Sequence, residues 1–278
     1  MAELTEVRPR ARAAVRRERR IGGSVARTAL WPVVGMVVTI LGWWLSTDVF
    51  SLVHPAVLPP PGEVLDAFTA KPTLLFEGML ETTLETLIGF LLSTVAGVLI
   101  GLALAASQTL ERMFSPLLIG INAIPKVTIA PLLVFAFGWG QQPILIMVFL
   151  LCFFPIVLAT TSGLTATPSD LVELARSLHA SRFQAFRKVR MPAALPQIFV
   201  GLKVAMPLAA IGAVIGEFQA GAGKGLGTQI IQFGGQGDSA TAWVAILLIG
   251  IMSIVLYYGL VLVEYLTLPW VRETTSAR

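Results

Sequence analysis

Long apolar runs constrain this chain more than any other feature, because about 20 consecutive apolar residues can cross a membrane as a helix. Apolar residues make up 55% of the 278 positions and charged residues only 13%, a balance that soluble domains do not show. The sequence therefore predicts an all-α, polytopic membrane protein with six transmembrane helices, placed to within several residues at 30–45, 84–106, 117–137, 144–163, 198–216 and 242–268.

The third run is the weakest of the six because polar residues and prolines interrupt it. Asn122, Pro125, Lys126 and Pro131 all fall inside it. Two interpretations stay open: a continuous span whose freed carbonyls are satisfied by neighbouring helices, or an interfacial helix followed by a short span.

Lysine and arginine are distributed unequally between the segments that join the runs. With the N-terminus inside, the external segments hold only Lys71 and Lys224. The cytoplasmic ones hold Arg8, Arg10, Arg12, Arg16, Arg17, Arg19, Arg20, Arg27, Arg112, Arg176, Arg182, Arg187, Lys188, Arg190, Arg272 and Arg278. This positive-inside pattern places both termini in the cytoplasm.

The basic residues near the start divide the chain into an arm, 1–27, and a transmembrane domain, 28–278. We interpret the arm as a solvated or lipid-surface segment that sets topology, and we expect no nucleic-acid partner. The two histidines lie far apart, so the sequence predicts no histidine-based metal site.

A polar island, residues 170–197, lies between the fourth and fifth runs on the predicted cytoplasmic side. Leu171, Leu174, Ala175 and Leu178 recur at helical spacing, which predicts a short amphipathic helix. A second short helix is predicted over 183–190, ending before Pro192. Two such helices would form a knob able to insert into a groove on a partner. The plainer alternative is that they lie along the membrane surface.

The island resembles the EAA loop of ABC importer permeases. That signature reads Glu-Ala-Ala, three residues, Gly, nine residues, Ile, one residue, Leu-Pro. The corresponding positions here are Glu173-Leu174-Ala175, His179, Val189 and Met191-Pro192, in unbroken register. The main departure is His179 at the glycine position, where a tight turn or a positive φ angle is expected; His tolerates that conformation better than a β-branched residue does.

Other segments resemble permeases of the nitrate, sulfonate and taurine type. They are the proline-rich segment 58–65, the third-run motifs 124–127, 130–133 and 137–140, and the later motifs 201–205, 216–218 and 225–227. The resemblance therefore extends along nearly the whole chain.

The resemblance implies a type I ABC importer permease fold in the inner membrane of a prokaryote. It implies a second permease copy, two ABC ATPase subunits that bind ATP-Mg, an extracytoplasmic substrate-binding protein and a small anionic cargo such as nitrate, sulfonate or taurine. It implies no cofactor on this chain. The coupling residues would be Glu173, Ala175, Ser177, His179, Ala180 and Pro192.

Charged residues within the runs are candidates for the pathway or its gate. A charge in the bilayer usually faces a cavity or a partner. Lys126 either lines the pathway or has a structural role, and Lys203 either lines the pathway or snorkels to the interface. Glu217 could close a gate or pair with Lys224.

Glu81 and Glu85 lie one helical turn apart, close to the expected external start of the second run. We expect a hydrated helix end there, with a transport role as the alternative. The permease type tends to carry a basic residue near Glu85, so no role can be carried over to it.

The segment 221–227, Gly-Ala-Gly-Lys-Gly-Leu-Gly, superficially resembles a phosphate-binding loop. Phe218 stands where the first glycine should be, and Gly225 stands where Ser or Thr is needed. We expect a flexible external loop or a re-entrant turn, and ATP hydrolysis by a partner.

An ATP-independent channel or secondary transporter remains the alternative function, and a membrane enzyme is disfavoured because no catalytic set stands out.

Overall fold

The computed structural model describes residues 30–221 and 223–270, so the basic arm 1–27 lies outside the described part. The described residues divide into two compact units, with the boundary between Val64 and Leu65. In the first unit, helix α1 (Leu30–Val49) is long and apolar enough to cross a membrane. Beyond it, the Trp43 indole N–H donates to the carbonyl of Pro59 at 3.0 Å, which ties the following segment back to the helix.

Helices are the regular elements throughout the described residues. After α1 they are α2 (Pro61–Ala70), α3 (Pro72–Ala106), α4 (Gln108–Asn122), α5 (Ala130–Phe137), α6 (Gln141–Thr165), α7 (Ser169–Ser177), α8 (Arg182–Ala185), α9 (Met191–Ala220), α10 (Leu226–Gly235) and α11 (Ser239–Thr267). A 3₁₀ turn (Lys126–Ile129) precedes α5, and a π-helical turn (Phe186–Arg190) joins α8 to α9.

Within the described residues, five helical segments are long and apolar enough to span a membrane: α1, α3, α6, the continuous segment Arg182–Ala220, and α11. The predicted third run is not one helix. It breaks after Asn122, and the two pieces are bent by 74°. Pro125 explains the break, because it adopts an extended conformation and has no N–H to continue the helix. Six spans result only if the bent pair counts as one.

Close contact between backbones holds α3 and α6 together. A Cβ atom added to Gly89 would lie 2.5 Å from the Cβ of Val148. Gly97 approaches Ile156 and Gly101 approaches Thr160 in the same way. Both sequences advance in the same direction along the contact, so α3 and α6 run parallel. Small residues at every fourth position are the usual means of bringing membrane helices this close.

Helix α9 packs on the same helix α6 in the opposite direction. Gly201 approaches Ala159, Gly212 approaches Val148, and Gly216 approaches Ile144. The α3–α6–α9 core therefore has two ends. The island end carries the C-terminus of α6 and the polar island, and the glycine-loop end carries the C-terminus of α9, residues 221–227 and α10.

Replacing Gly89 with Ala should lower the free energy of unfolding by roughly 1–3 kcal/mol, because the added methyl group overlaps Val148. The matched control is Gly250→Ala in α11, where nothing lies within 4 Å of the added atom. Thermal unfolding of both variants in mild detergent measures the difference. Equal melting temperatures would show that the α3–α6 contact does not limit stability.

Candidate functional site: the polar island and the charged residues of the bundle

The turn of the polar island is a helix C-cap with His179 at its centre. His179 has φ of +56°, so it occupies the left-handed region in which glycine is favoured. The N–H of Ala180 donates to the carbonyl of Ala175 at 3.0 Å, the long hydrogen bond of a Schellman motif. Of the two roles expected of the usual glycine, a tight turn or a positive φ angle, His179 takes on the positive φ angle.

The second island helix is fixed by a reciprocal cap. The Ser181 hydroxyl accepts the N–H of Gln184, and the Gln184 side chain accepts the N–H of Ser181. The prediction that this helix ends before Pro192 is wrong, because the chain is helical from Arg182 to Ala220. The π-helical turn just before Pro192 explains this, since such adjustments accommodate the missing proline donor.

The six predicted coupling residues lie together at the island end. Ala175 is buried, whereas Glu173, Ser177 and His179 are exposed and Ala180 and Pro192 are half-buried. The predicted apolar face of α7 is largely uncovered, since its exposed residues include Leu171, Leu174 and Leu178, and Phe183 of α8 is exposed as well. Leu178 keeps 74% of its surface accessible. The island therefore presents an apolar patch next to Glu173.

Lys126 lies at the break between α4 and the 3₁₀ turn. Its ammonium donates to the Asn122 carbonyl at 3.1 Å and to the Asn122 side-chain oxygen at 2.8 Å. It also lies 5.1 Å from the ring centroid of Phe154 on α6, within cation–π range. These partners are neutral, so the positive charge of Lys126 is not offset by them.

Lys203 forms an ion pair within the bundle. Its ammonium lies 2.7 Å from a carboxylate oxygen of Glu264 on α11, and both side chains are about one-fifth exposed. Sequence reasoning considered snorkelling or pathway lining for Lys203 and did not identify Glu264 as its partner. The two residues are 61 positions apart, so only the packing of α9 on α11 brings them together.

Glu217 is almost fully buried at the glycine-loop end, where it is 2% exposed. Its carboxyl group accepts the Thr82 hydroxyl at 2.7 Å and the backbone N–H of Gly227. Of the two alternatives for Glu217, a gate or pairing with Lys224, the second is wrong, because the Lys224 ammonium binds Glu77 at 3.0 Å. The hydrogen bond to Glu77 raises the pKa of Lys224.

Glu85 is also buried, at 3% exposed, and faces Glu217 within reach of a hydrogen bond. The prediction of a hydrated helix end is therefore wrong for Glu85. The reason is the length of α3, which begins at Pro72 rather than near residue 84 and so carries Glu85 well inside the helix. The sequence identified Glu85 and Glu217 separately and did not predict that the two side chains lie next to each other.

The glycine-rich loop is anchored by its own backbone. The N–H of Lys224 donates to Glu81, and the N–H of Leu226 donates to the Thr82 hydroxyl, both at 2.9 Å. A Cβ atom on Gly225 would lie 2.2 Å from a carboxylate oxygen of Glu217. The re-entrant alternative describes this segment better than a flexible loop does, since glycine lets the backbone approach the buried acid.

The start of α11 carries a polar contact at the same end. Lys71 donates to Asp238 at 2.7 Å and lies 4.3 Å from the centroid of the Phe233 ring. Partial burial alone would raise the pKa of Asp238, but hydrogen bonds from Lys71 and Thr241 outweigh it and hold the pKa below its usual value. This contact ties the start of α3 to the start of α11.

The described residues are helical, and several of the helices are long enough to span a membrane. Two short capped helices lie between two of these spans. This arrangement is that of a polytopic permease of an ABC importer. The family described as "Binding-protein-dependent transport system inner membrane component" matches residues 93–273. The chain belongs to this family, and its relatives include permeases named for taurine, aliphatic sulfonates and nitrate. It is a multi-pass inner-membrane permease subunit.

Named relatives cover most of the chain. The riboflavin transport system permease protein of Chloroflexus aurantiacus is 33% identical over 272 residues, which cover 96% of this chain and 97% of that protein. The taurine transport system permease protein of Escherichia coli is 26% identical over 258 residues, with 86% and 92% covered. Among solved structures, the MetNI methionine ABC transporter gives a TM-score of 0.56 at 25% identity, covering 71% of this chain and 99% of that one.

Replacing His179 with Gly should stabilise the island turn by about 1 kcal/mol, because glycine carries no Cβ penalty in the left-handed region. His179→Val should destabilise it, since β-branched residues fit that region poorly. Hydrogen exchange of the Ala180 amide, which is bonded across the turn, reports the change directly. The strain argument is refuted if the valine variant exchanges as slowly as the natural protein.

Proposed function

We propose that this chain forms the translocation pathway together with a second copy of itself, and that two separate ABC ATPase subunits drive it by binding and hydrolysing ATP-Mg. An extracytoplasmic binding protein delivers the substrate. The observation that carries the proposal is the exposed apolar patch of the polar island, set beside Glu173 on a doubly capped pair of helices. Uncovered apolar surface of this kind marks a protein interaction site.

The island is suited to enter a groove on the ATPase. Leu171, Leu174 and Leu178 lie on the exposed side of α7, as in helices that bind by laying an apolar face into a groove. Glu173 is exposed beside them and would set the orientation through its charge. Ala175 is buried, so the island helices pack on each other rather than unfolding to bind.

A movement of the island would be transmitted through a continuous helix. The segment Arg182–Ala220 has 39 residues, which correspond to about 58 Å of helix. It begins in the island and ends beside the buried Glu217. ATP-driven closure of the ATPases would therefore shift helix packing at the opposite end of the core, as expected for alternation between two packed states.

The orientation follows from the same proposal. The island end and both termini face the cytoplasm, and the glycine-loop end faces the binding protein outside. Residues 28–278 form the permease domain with the coupling loop at 170–197, and the arm 1–27 sets topology. The basic residues near the island support this orientation.

Charge reversal at the island should separate the permease from its ATPase. Glu173→Lys is expected to reduce co-purified ATPase and ATP-dependent uptake by about tenfold or more, since like-charge contacts at an interface cost several kcal/mol. The matched control is Asp66→Lys, an exposed acid on α2 that lies outside the island. Affinity purification from membranes and uptake assays measure both effects.

Wild-type uptake and ATPase recovery in the Glu173→Lys variant would refute the coupling role. Undiminished uptake in the absence of any ATPase would instead favour an ATP-independent channel or secondary transporter.

Lys126 supports an anionic cargo. Its charge is held by neutral partners at a break in the helix, whereas the charge of Lys203 is offset by Glu264. We infer that Lys126 lines the pathway, that Lys203 stabilises the α9–α11 contact beside it, and that Glu217 belongs to a gate. Relatives include permeases named for substrates as different as riboflavin and taurine, so the binding protein would make most of the selection. The cargo we propose is a small anion such as nitrate, sulfonate or taurine.

Lys126→Ala should raise the KM for an anionic substrate by about fivefold to tenfold, which corresponds to the loss of roughly 1 kcal/mol of attraction. Lys126→Arg keeps the charge and serves as the matched control. Uptake kinetics in proteoliposomes that contain the assembled transporter measure the change. Unchanged kinetics in the alanine variant would assign Lys126 a structural role at the α4 C-terminus.

A further inference from the structure

Two buried acids face each other at the glycine-loop end. Glu85 of α3 and Glu217 of α9 are 3% and 2% exposed. The Thr82 hydroxyl, one helical turn before Glu85 on α3, donates to Glu217 at 2.7 Å, so the Glu85 carboxyl group faces Glu217 within reach of a hydrogen bond. Two ionised carboxylates cannot share this position, because neither can donate and their charges repel. One proton must therefore be held between them.

The remaining contacts identify which acid carries that proton. Glu217 accepts hydrogen bonds from the Thr82 hydroxyl and from the backbone N–H of Gly227. A carboxyl group surrounded by donors acts as the ionised acceptor. Glu85 has one oxygen without any partner, as expected for the carbonyl oxygen of a neutral acid whose hydroxyl donates to Glu217.

The surrounding charges do not compensate a second negative charge. On α3 the pair is faced by Glu81, which is itself acidic and accepts the N–H of Lys224. The Lys224 ammonium is exposed and bound to Glu77. Helix α6 contributes the apolar residue Ile144 against the end of α9, and α10 contributes backbone N–H groups.

The acid pair also holds the glycine loop in place. Gly227 donates to Glu217, and Leu226 donates to the Thr82 hydroxyl, which in turn donates to Glu217. Gly225 lies against the carboxylate so closely that a Cβ atom would overlap it. If Glu85 lost its proton, the two negative charges would repel, and Glu217 would be pushed away from the donors that anchor the loop.

We propose that Glu85 and Glu217 form a proton-dependent latch that closes residues 223–227 of the glycine loop onto the ends of α3 and α9. Closing the latch takes up one proton, so raising the pH destabilises the closed form. By linkage, the ratio of closed to open loop then falls by about tenfold for each pH unit over the range in which the open form has released the proton and the closed pair still holds it, and it levels off above that range. The latch goes beyond the proposed import function and requires neither ATP nor substrate.

Hydrogen–deuterium exchange of the full-length chain in lipid nanodiscs tests the latch. The peptide that contains the Leu226 and Gly227 amides is followed from mildly acidic to alkaline pH, with the intrinsic pH dependence of exchange divided out. In the natural protein, protection of this peptide is expected to fall with rising pH at the stated slope. Glu85→Gln should keep protection high at every pH, because a neutral amide still donates to Glu217.

Two further variants complete the test. Glu81→Gln removes a neighbouring acid that lies outside the pair and should retain the pH slope. Glu85→Ala leaves Glu217 without its donor and should lower protection at every pH. The proposal is overturned if protection in the natural protein does not change with pH, or if Glu85→Gln shows the same slope as the natural protein.

Discussion

Close approach of the backbones of α3, α6 and α9 is the constraint on which the other features of the core depend. Lipid provides no hydrophobic drive for helices to associate, so van der Waals packing and interhelical hydrogen bonds must supply it. Gly89, Gly97 and Gly101 on α3, and Gly212 and Gly216 on α9, bring both helices against α6. This packing also fixes which polar groups meet at the two ends of the core.

At the glycine-loop end, polar groups meet where water is excluded. Glu85 and Glu217 are buried there, and the glycine loop supplies backbone donors that a side chain would block. Buried polar groups are costly unless they are satisfied, so the loop's backbone donors stabilise the buried carboxyl group of Glu217. The same continuous helix that ends at this cluster begins in the polar island, so the two ends of the core are mechanically connected.

At the island end, local hydrogen bonding produces a rigid projection. A Schellman turn at His179 and a capping box at Ser181 fix the two short helices relative to each other. The apolar side of α7 is left uncovered. A rigid projection transmits displacement better than a flexible loop would, which agrees with a permease subunit that depends on an external source of energy.

Local properties of the sequence determined much of this protein. Apolar runs identified the spans, and the register from Glu173 to Pro192 identified the island and the left-handed turn at His179. Both signals are local, because the length of an apolar run and the backbone of a turn depend on neighbouring residues. The interruption by Pro125 likewise marked the third run as weak, although its 74° bend required the structure.

Only the tertiary structure decided which polar and charged side chains distant in sequence contact each other. Lys203 meets Glu264 across 61 positions, and Glu217 meets Thr82 across 135. The sequence offered Lys224 as one alternative partner for Glu217, whereas Lys224 binds Glu77. It placed Glu85 in water because the start of α3 was set too late. The physical reason is that helix register and crossing are fixed by close packing between helices distant in sequence. Hydropathy along one helix does not record which face of it another helix will cover.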